Sequence, residues 1–172
     1  MLQYQEQMKK ILLFITLVFA LIALLSSCSA KKNDITNSVK QYLQEKNLVF
    51  EETLKTCLII PSSGCPGCIA SGITFLNHNR NFFTKNQVEN MVVFTNVGAK
   101  KLLRRSLRDI DISDLYCIID NHSQYSIDCP ESKYPIILYL DKGKVVKADY
   151  QSPDNNGIEK YLDYLINCKQ KQ

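Results

Sequence analysis

The strongest constraint on this chain is four residues long. Cys65-Pro66-Gly67-Cys68 follows directly on the apolar run Leu58-Ile59-Ile60 and the turn Pro61-Ser62-Ser63-Gly64. The turn residues stop a strand ahead of Cys65, and Pro66 fits the first position of a helix, where its missing N–H removes no bond. Two cysteines at this spacing can close a small disulfide ring. A cysteine at a helix start also meets the positive end of the helix dipole and unpaired backbone N–H groups. Both favour the thiolate, which is the species that attacks disulfides. Strand, cysteine pair and helix in that order point to thiol–disulfide exchange, with Cys65 as the exposed nucleophile and Cys68, one turn deeper, as the resolving thiol. The same spacing also suits a structural disulfide on a binding domain, and the sequence leaves both readings open.

The N-terminus indicates where such chemistry is placed. Met8-Lys9-Lys10 begins a basic region, Ile11 to Leu25 is an apolar run interrupted only by Thr16, and Ser26-Ser27-Cys28 follows. A run of about 15 apolar residues is short for a membrane span and suits a secretory signal. Leu25-Ser26-Ser27-Cys28 resembles a bacterial lipobox. That resemblance implies cleavage ahead of Cys28 and lipidation of its thiol, and acyl chains add roughly 0.8 kcal/mol of anchoring per buried CH₂. The alternative is an uncleaved anchor helix, and either one places the domain outside the cytoplasm, on the periplasmic side. The expected organisation is a signal peptide over 1–27, a lipid-anchored tether over 28–34 and one domain over 35–172.

The net charge of the chain is +4, and the signal removes Lys9, Lys10 and Glu6 from that balance. So small a value gives no ground for a nucleic-acid partner. Arg104-Arg105 and Arg108 alternate with Leu102, Leu103 and Leu107, as on the solvated face of an amphipathic helix. Of the seven cysteines, six remain beside Cys28, an even number that permits disulfides in an exported chain. Cys57 falls in a strand and is expected buried and inert. Cys117 and Cys129 flank a loop and are candidates for a structural disulfide or a second redox pair, while Cys168 is expected free. No second CxxC completes a zinc site, and His78 and His122 lie far from the pair in sequence, so no metal or other cofactor is expected.

Periodicity supplies the rest. Ile35, Val39, Tyr42 and Leu43 predict a helix over 34–46, and Leu48–Glu51 a short edge strand. Strands are predicted at Lys55–Ile60, Met91–Thr95, Leu115–Asp120, Tyr125–Ile127, Ile136–Leu140 and Val145–Tyr150, with a hairpin at Asp141-Lys142-Gly143-Lys144. Helices are predicted from Pro66 to about Leu76, over 99–107, and at the C-terminus on the stripe Ile158, Tyr161, Leu162, Leu165 and Ile166. Asp120 ends a strand and reads as a turn residue rather than a general base. Alternating strands and helices, ending in a hairpin and a helix, imply an α/β fold with a mixed sheet covered on both faces.

Two stretches in this order resemble the thioredoxin fold: Leu58-Ile59-Ile60 through Cys68, and Tyr134-Pro135-Ile136-Ile137-Leu138-Tyr139-Leu140-Asp141-Lys142-Gly143-Lys144. The resemblance implies a cis proline at Pro135 beside the disulfide and a substrate-contacting backbone at Tyr134, with Pro66 and Gly67 also facing the client. A bland role for Tyr134 is packing on the sheet edge. The extra helix and strand between Met91 and Asp120 is similar to membrane-anchored, extracytoplasmic thioredoxin-like reductases and thioredoxin-like lipoproteins. These would act on exported proteins with thiols or disulfides and exchange electrons with a membrane partner. Three positions depart from the pattern: Gly64 replaces the aromatic residue before the first cysteine, the inner dipeptide is Pro-Gly, and Ile59 stands where thioredoxins bury an acid. Peroxiredoxins also carry a proline ahead of the reactive cysteine, but Ser62-Ser63-Gly64 replaces the threonine they place between the two.

Overall fold

The computed structural model describes residues 35–98, 100–107 and 110–170; the signal, Cys28 and the tether lie outside them. The continuous apolar run before the cysteine pair becomes β1 (Thr56–Pro61), buried along its whole length. A strand buried on both faces has to be central, and β1 pairs parallel with β2 (Asn90–Thr95) and antiparallel with β4 (Ile136–Asp141). Beyond β2 lies β3 (Cys117–Asp120), and beyond β4 lie β5 (Lys144–Ser152) and the two-residue β6 (Asn155–Asn156), giving the order β3-β2-β1-β4-β5-β6. The β4–β5 turn places Lys142 and Gly143 at φ 48° and 73°. Two residues of positive φ give the turn whose twist matches its strands. Gly143 is required for a second reason: a Cβ there would run into the Phe50 carbonyl oxygen.

Side-chain alternation along β1 builds two cores. Cys57 and Ile59 face α1 (Ile35–Glu45), whose Ile35, Val39, Tyr42 and Leu43 are buried against them. Leu58 and Ile60 face the other side, with Phe75 and Leu76 of α2 (Pro66–His78) and with Tyr161 and Leu165 of α4 (Gly157–Lys169). The short α3 (Lys100–Ser106) follows β2 on that second face and packs through Leu103. Each fully buried Leu, Ile or Phe contributes about 1.5–3 kcal/mol, so the two cores hold the sheet from both sides. α1 is also tied to β5, where the Ala148 N–H donates to the Thr36 hydroxyl at 3.1 Å. Among the described residues no helix is long and apolar enough to cross a membrane.

Three local expectations are corrected. Leu48–Glu51 is not a strand; the Leu48 N–H donates to the Leu43 carbonyl at 2.9 Å, and Phe50 turns into the core with its ring 6.2 Å from that of Tyr125. Tyr125–Ile127 also forms none, because the Asp120 carboxylate claims the Tyr125 N–H at 2.7 Å and the Ile127 N–H bonds locally to the Tyr125 carbonyl at 3.0 Å. On α4, Ile166 is 43 % exposed, while Tyr161 and Leu165 carry the packing. The neighbouring Tyr164 meets Tyr139 edge-on at 4.9 Å, so the stripe ends before Ile166.

Candidate functional site

The cysteine pair is positioned by backbone bonds at both ends of its loop. As β1 ends, the Ser62 N–H donates to the Thr95 carbonyl at 3.0 Å, and the Ser62 hydroxyl bonds the Asn96 carbonyl. Gly64 takes φ 136°, a conformation open to glycine, and a Cβ there would collide with the Lys133 carbonyl oxygen. That close approach lets the Cys65 N–H donate to the same carbonyl at 3.0 Å. The loop is thereby stitched to the single 3₁₀ turn Pro130–Lys133 ahead of β4. Gly64, read in the sequence as a replaced aromatic, is thus a packing requirement. A glycine directly before the cysteine was its only signal.

Cys65 caps α2 in an extended conformation, and its sulfur accepts the Cys68 N–H at 3.4 Å. Pro66 occupies the first turn, which carries no acidic residue. The field of a 13-residue helix therefore acts on Cys65 without a local counter-charge, lowering the cost of a thiolate there. Cys65 and Cys68 are joined as a disulfide with Cα atoms 5.3 Å apart. Cys65 is half-buried, Pro66 and Gly67 are exposed, and Cys68 is only 5 % exposed. A macromolecule approaching this corner meets Cys65 first.

Pro135 corrects an expectation. No cis peptide bond occurs among the described residues, so the Tyr134–Pro135 bond is trans. Tyr134 has φ −115° and ψ 157°, the extended conformation favoured before proline, and trans is preferred at such bonds by about 0.5–1 kcal/mol. Pro135 is buried, and its ring lies over Gly72 of α2, where an added Cβ would stand 3.2 Å from the proline Cγ. The Tyr134 N–H is used within the turn, donating to the Glu131 carbonyl at 2.9 Å. Its ring stacks on Tyr150 at 5.8 Å with the Lys133 ammonium 5.2 Å from its centroid. Tyr134 therefore packs at the β4–β5 edge, beside the cysteine loop.

Next to the loop, on the α1 side of the sheet, a cavity of about 410 Å³ opens between Ser63-Gly64, Asn96, Ser126 and Tyr134. Ile59 and Ile136 line its inner wall, so the position where thioredoxins bury an acid is here apolar. The Ser126 hydroxyl is buried without a hydrogen-bond partner.

The other cysteines lie in different surroundings. Cys57 is fully buried, and burial drives its thiol pKa far up. Cys117 and Cys129 are both free, which overturns the disulfide expected between them. Cys117 packs on the α2–α4 face of the sheet and Cys129 on the α1 face, so the sheet separates them. Burial raises both thiols, Cys129 to about 11. Cys168 is a free, half-buried thiol near the end of α4. Asp120 acts as a turn residue, accepting the His122 and Tyr125 N–H groups at 3.0 and 2.7 Å. His78 is exposed on α2, 2.8 Å from the Thr74 carbonyl, and His122 is exposed in the turn after β3. Among the described residues no group of three or more His, Cys, Asp and Glu side chains is placed to hold a metal.

No protein-family model matches the chain, and no characterised protein sequence matches it. Among solved structures, the chain is similar to the solution structure of a Neisseria meningitidis protein provisionally described as a thioredoxin, at 17% sequence identity and a TM-score of 0.41, over 70% of this chain and 81% of that one. A parallel β1–α2–β2 unit, an antiparallel β4–β5 hairpin beside it and a closing helix, with the cysteine pair at the start of α2, make this a thioredoxin-like α/β fold with a helix–strand insertion, α3–β3, ahead of the proline strand.

Proposed function

We propose that the chain is a thiol–disulfide oxidoreductase that acts on thiols and disulfides of exported proteins from an extracytoplasmic, lipid-anchored position. The observation that carries this reading is the Cys65–Cys68 disulfide at the N-terminus of α2, with Cys65 accessible and Cys68 beneath it. In the reducing direction the Cys65 thiolate attacks one sulfur of a client disulfide. A Cys65–client bond forms, and the other client sulfur leaves as a thiolate. Cys68 then loses its proton and attacks the Cys65 sulfur, closing the Cys65–Cys68 bond and releasing the second client thiolate. The client gains two electrons and the pair loses two, so a dithiol donor at the membrane must restore the reduced pair. Oxidation of a client is the same path reversed, with a membrane acceptor. The apolar run Ile11–Leu25 and the lipobox-like Leu25-Ser26-Ser27-Cys28 support that position.

The test is the reduction potential and thiol pKa of the pair. A reversible couple with an acid-shifted Cys65 supports the reading, and its value separates a reductant near roughly −270 mV from an oxidant near roughly −120 mV. A pair that resists reduction, or a Cys65 with an ordinary thiol pKa and no exchange, overturns it. The trans Tyr134–Pro135 bond and the internally bonded Tyr134 N–H favour a second reading, a non-catalytic binding domain. The two differ in one outcome. Cys68→Ser traps clients covalently through Cys65 in an oxidoreductase, whereas a binding domain keeps its partners when both cysteines are serine.

A further inference from the structure

A second hollow, of about 330 Å³, opens on the other face of the sheet, between α2 and α3. Its inner wall is Ile60 and Phe94, 2 % and 1 % exposed, and its sides are Ile69 and Ile73 of α2 with Val97 and Leu103. These six side chains are apolar, and Ser106 of α3 also lines the hollow. The hollow is continuous with the cysteine loop in two ways. Pro61 and Ser62, which lead into Cys65, form part of its rim, and the Ile69 N–H donates to the Cys65 carbonyl at 3.0 Å. Ile69 and Ile73 stand one and two turns along α2 from Cys65, about 6 and 12 Å on the helix rise. An extended polypeptide advances about 3.3 Å per residue. A chain joined to Cys65 can therefore bring a side chain two to four residues from its own cysteine over this hollow. On the solvent side, α3 exposes Lys101, Arg104 and Arg105 and carries no acidic residue. Asp111 stands close enough to Arg104 to feel its charge.

We propose that this hollow is a specificity subsite for the client polypeptide: it takes an apolar side chain placed two to four residues from the client cysteine, and α3 favours an acidic flank over a basic one. The proposal rests on the exchange reading above and adds no chemistry to it. Cys65 still displaces one client sulfur, and the apolar contact holds the client while Cys68 resolves the bond.

The test uses the full-length chain in detergent with its pair reduced. Its substrates are synthetic disulfide-linked peptides carrying one cysteine, a leucine three residues on and an aspartate beyond it. Companion peptides carry Leu→Ser or Asp→Lys, and oxidised glutathione serves as a substrate too short to reach the hollow. The expected result is a rate constant about tenfold higher for the leucine than for the serine peptide. A smaller, salt-sensitive preference for aspartate over lysine accompanies it. Ile73→Ser removes the leucine preference, and the surface variant Arg104→Glu/Arg105→Glu removes or reverses the charge preference. Ile73→Ser leaves the glutathione rate within about twofold of the parent, and the charge variant, which also meets the anionic glutathione, is read on the aspartate-to-lysine ratio alone. Equal rates for the leucine and serine peptides, with normal glutathione exchange, overturn the subsite and leave the exchange reading standing. Loss of exchange with glutathione as well overturns both.

Discussion

The two ends of β1 meet opposite surroundings. At its start Thr56 is fully buried, and its hydroxyl lies 2.6 Å from that of Tyr161 and donates to the Asn90 side-chain oxygen at 2.7 Å. The Asn90 amide in turn donates to the Phe82 carbonyl at 3.2 Å. This end is closed by satisfied buried groups, and burial holds the Tyr161 phenol far above its usual pKa. At its other end β1 runs into Ser62, Ser63 and Gly64, all exposed, and then into Cys65. A hollow opens on each side of that loop, against Ile59 on one face and Ile60 on the other. The same strand therefore supplies a locked base and a chemically available tip. Cys57, one residue in from the locked end, is fully buried and its thiol is raised by burial, whereas Cys65 at the tip is half-buried at a helix start.

The largest effect separating the two ends is expected from Cys65→Ser. Loss of the nucleophile should lower exchange with a peptide disulfide by at least about a thousandfold while the fold persists. Near-parental exchange in that variant would assign the chemistry elsewhere. Gly64→Ala comes next. A side chain at φ 136° facing the Lys133 carbonyl forces the loop away from the Pro130–Lys133 turn. The expected loss is about 2–3 kcal/mol in urea unfolding, together with a slower exchange rate. An unchanged midpoint would mean that the Cys65–Lys133 bond does not hold the tip.

Thr56→Val tests the locked end. It strands the Tyr161 hydroxyl and the Asn90 side-chain oxygen inside the fold, which should lower stability by about 1–3 kcal/mol. Exchange at the far end of the strand should change by less than about twofold, because the two sites share no partner. A parallel loss of exchange would couple the ends and dissolve the contrast.

The tip was legible in the sequence because its signals are local: an apolar run, turn residues, a cysteine pair and a proline at a helix start. The central strands were legible for the same reason, since burial on both faces writes itself as the continuous runs Cys57–Ile60 and Ile136–Leu140. What failed depends on partners outside each local pattern. Leu48–Glu51 and Tyr125–Ile127 have strand-like residues, but their N–H groups are drawn into other bonds, Leu48 to the Leu43 carbonyl and Tyr125 to the Asp120 carboxylate. Cys117 and Cys129 look like loop-flanking partners, yet the sheet puts them on opposite faces. The Cys65–Lys133 bond joins backbones far apart in sequence, and no side chain announces it. An X–Pro isomer is set by surrounding packing, here the ring of Pro135 on Gly72, more than by its own dipeptide.

The smallest effect is expected from pH and from the cysteines away from the tip. In the folded chain Cys129 titrates near 11, raised first by burial and further by the nearby Glu131 carboxylate. In the unfolded chain a cysteine titrates near about 8.5. Between those values the folded state holds a proton that the unfolded state has lost, so stability falls as pH rises. The contribution is complete below about pH 8.5 and gone once pH passes about 11. Because Cys129 is only half-buried, solvent reduces it to about 1 kcal/mol over that span. Urea unfolding at stepped alkaline pH should show a decline to which the buried Cys57 also contributes, and Cys129→Ala should make it shallower by about 1 kcal/mol without abolishing it. Iodoacetamide at about pH 8 should leave Cys57 unlabelled in the native chain while the reduced Cys65 reacts, since Cys57 is fully buried with its thiol raised by burial and Cys65 is half-buried at a helix start. Labelling of Cys57 at a comparable rate would show that the sheet opens as readily as its tip, and the contrast between the two ends of β1 would then be one of degree.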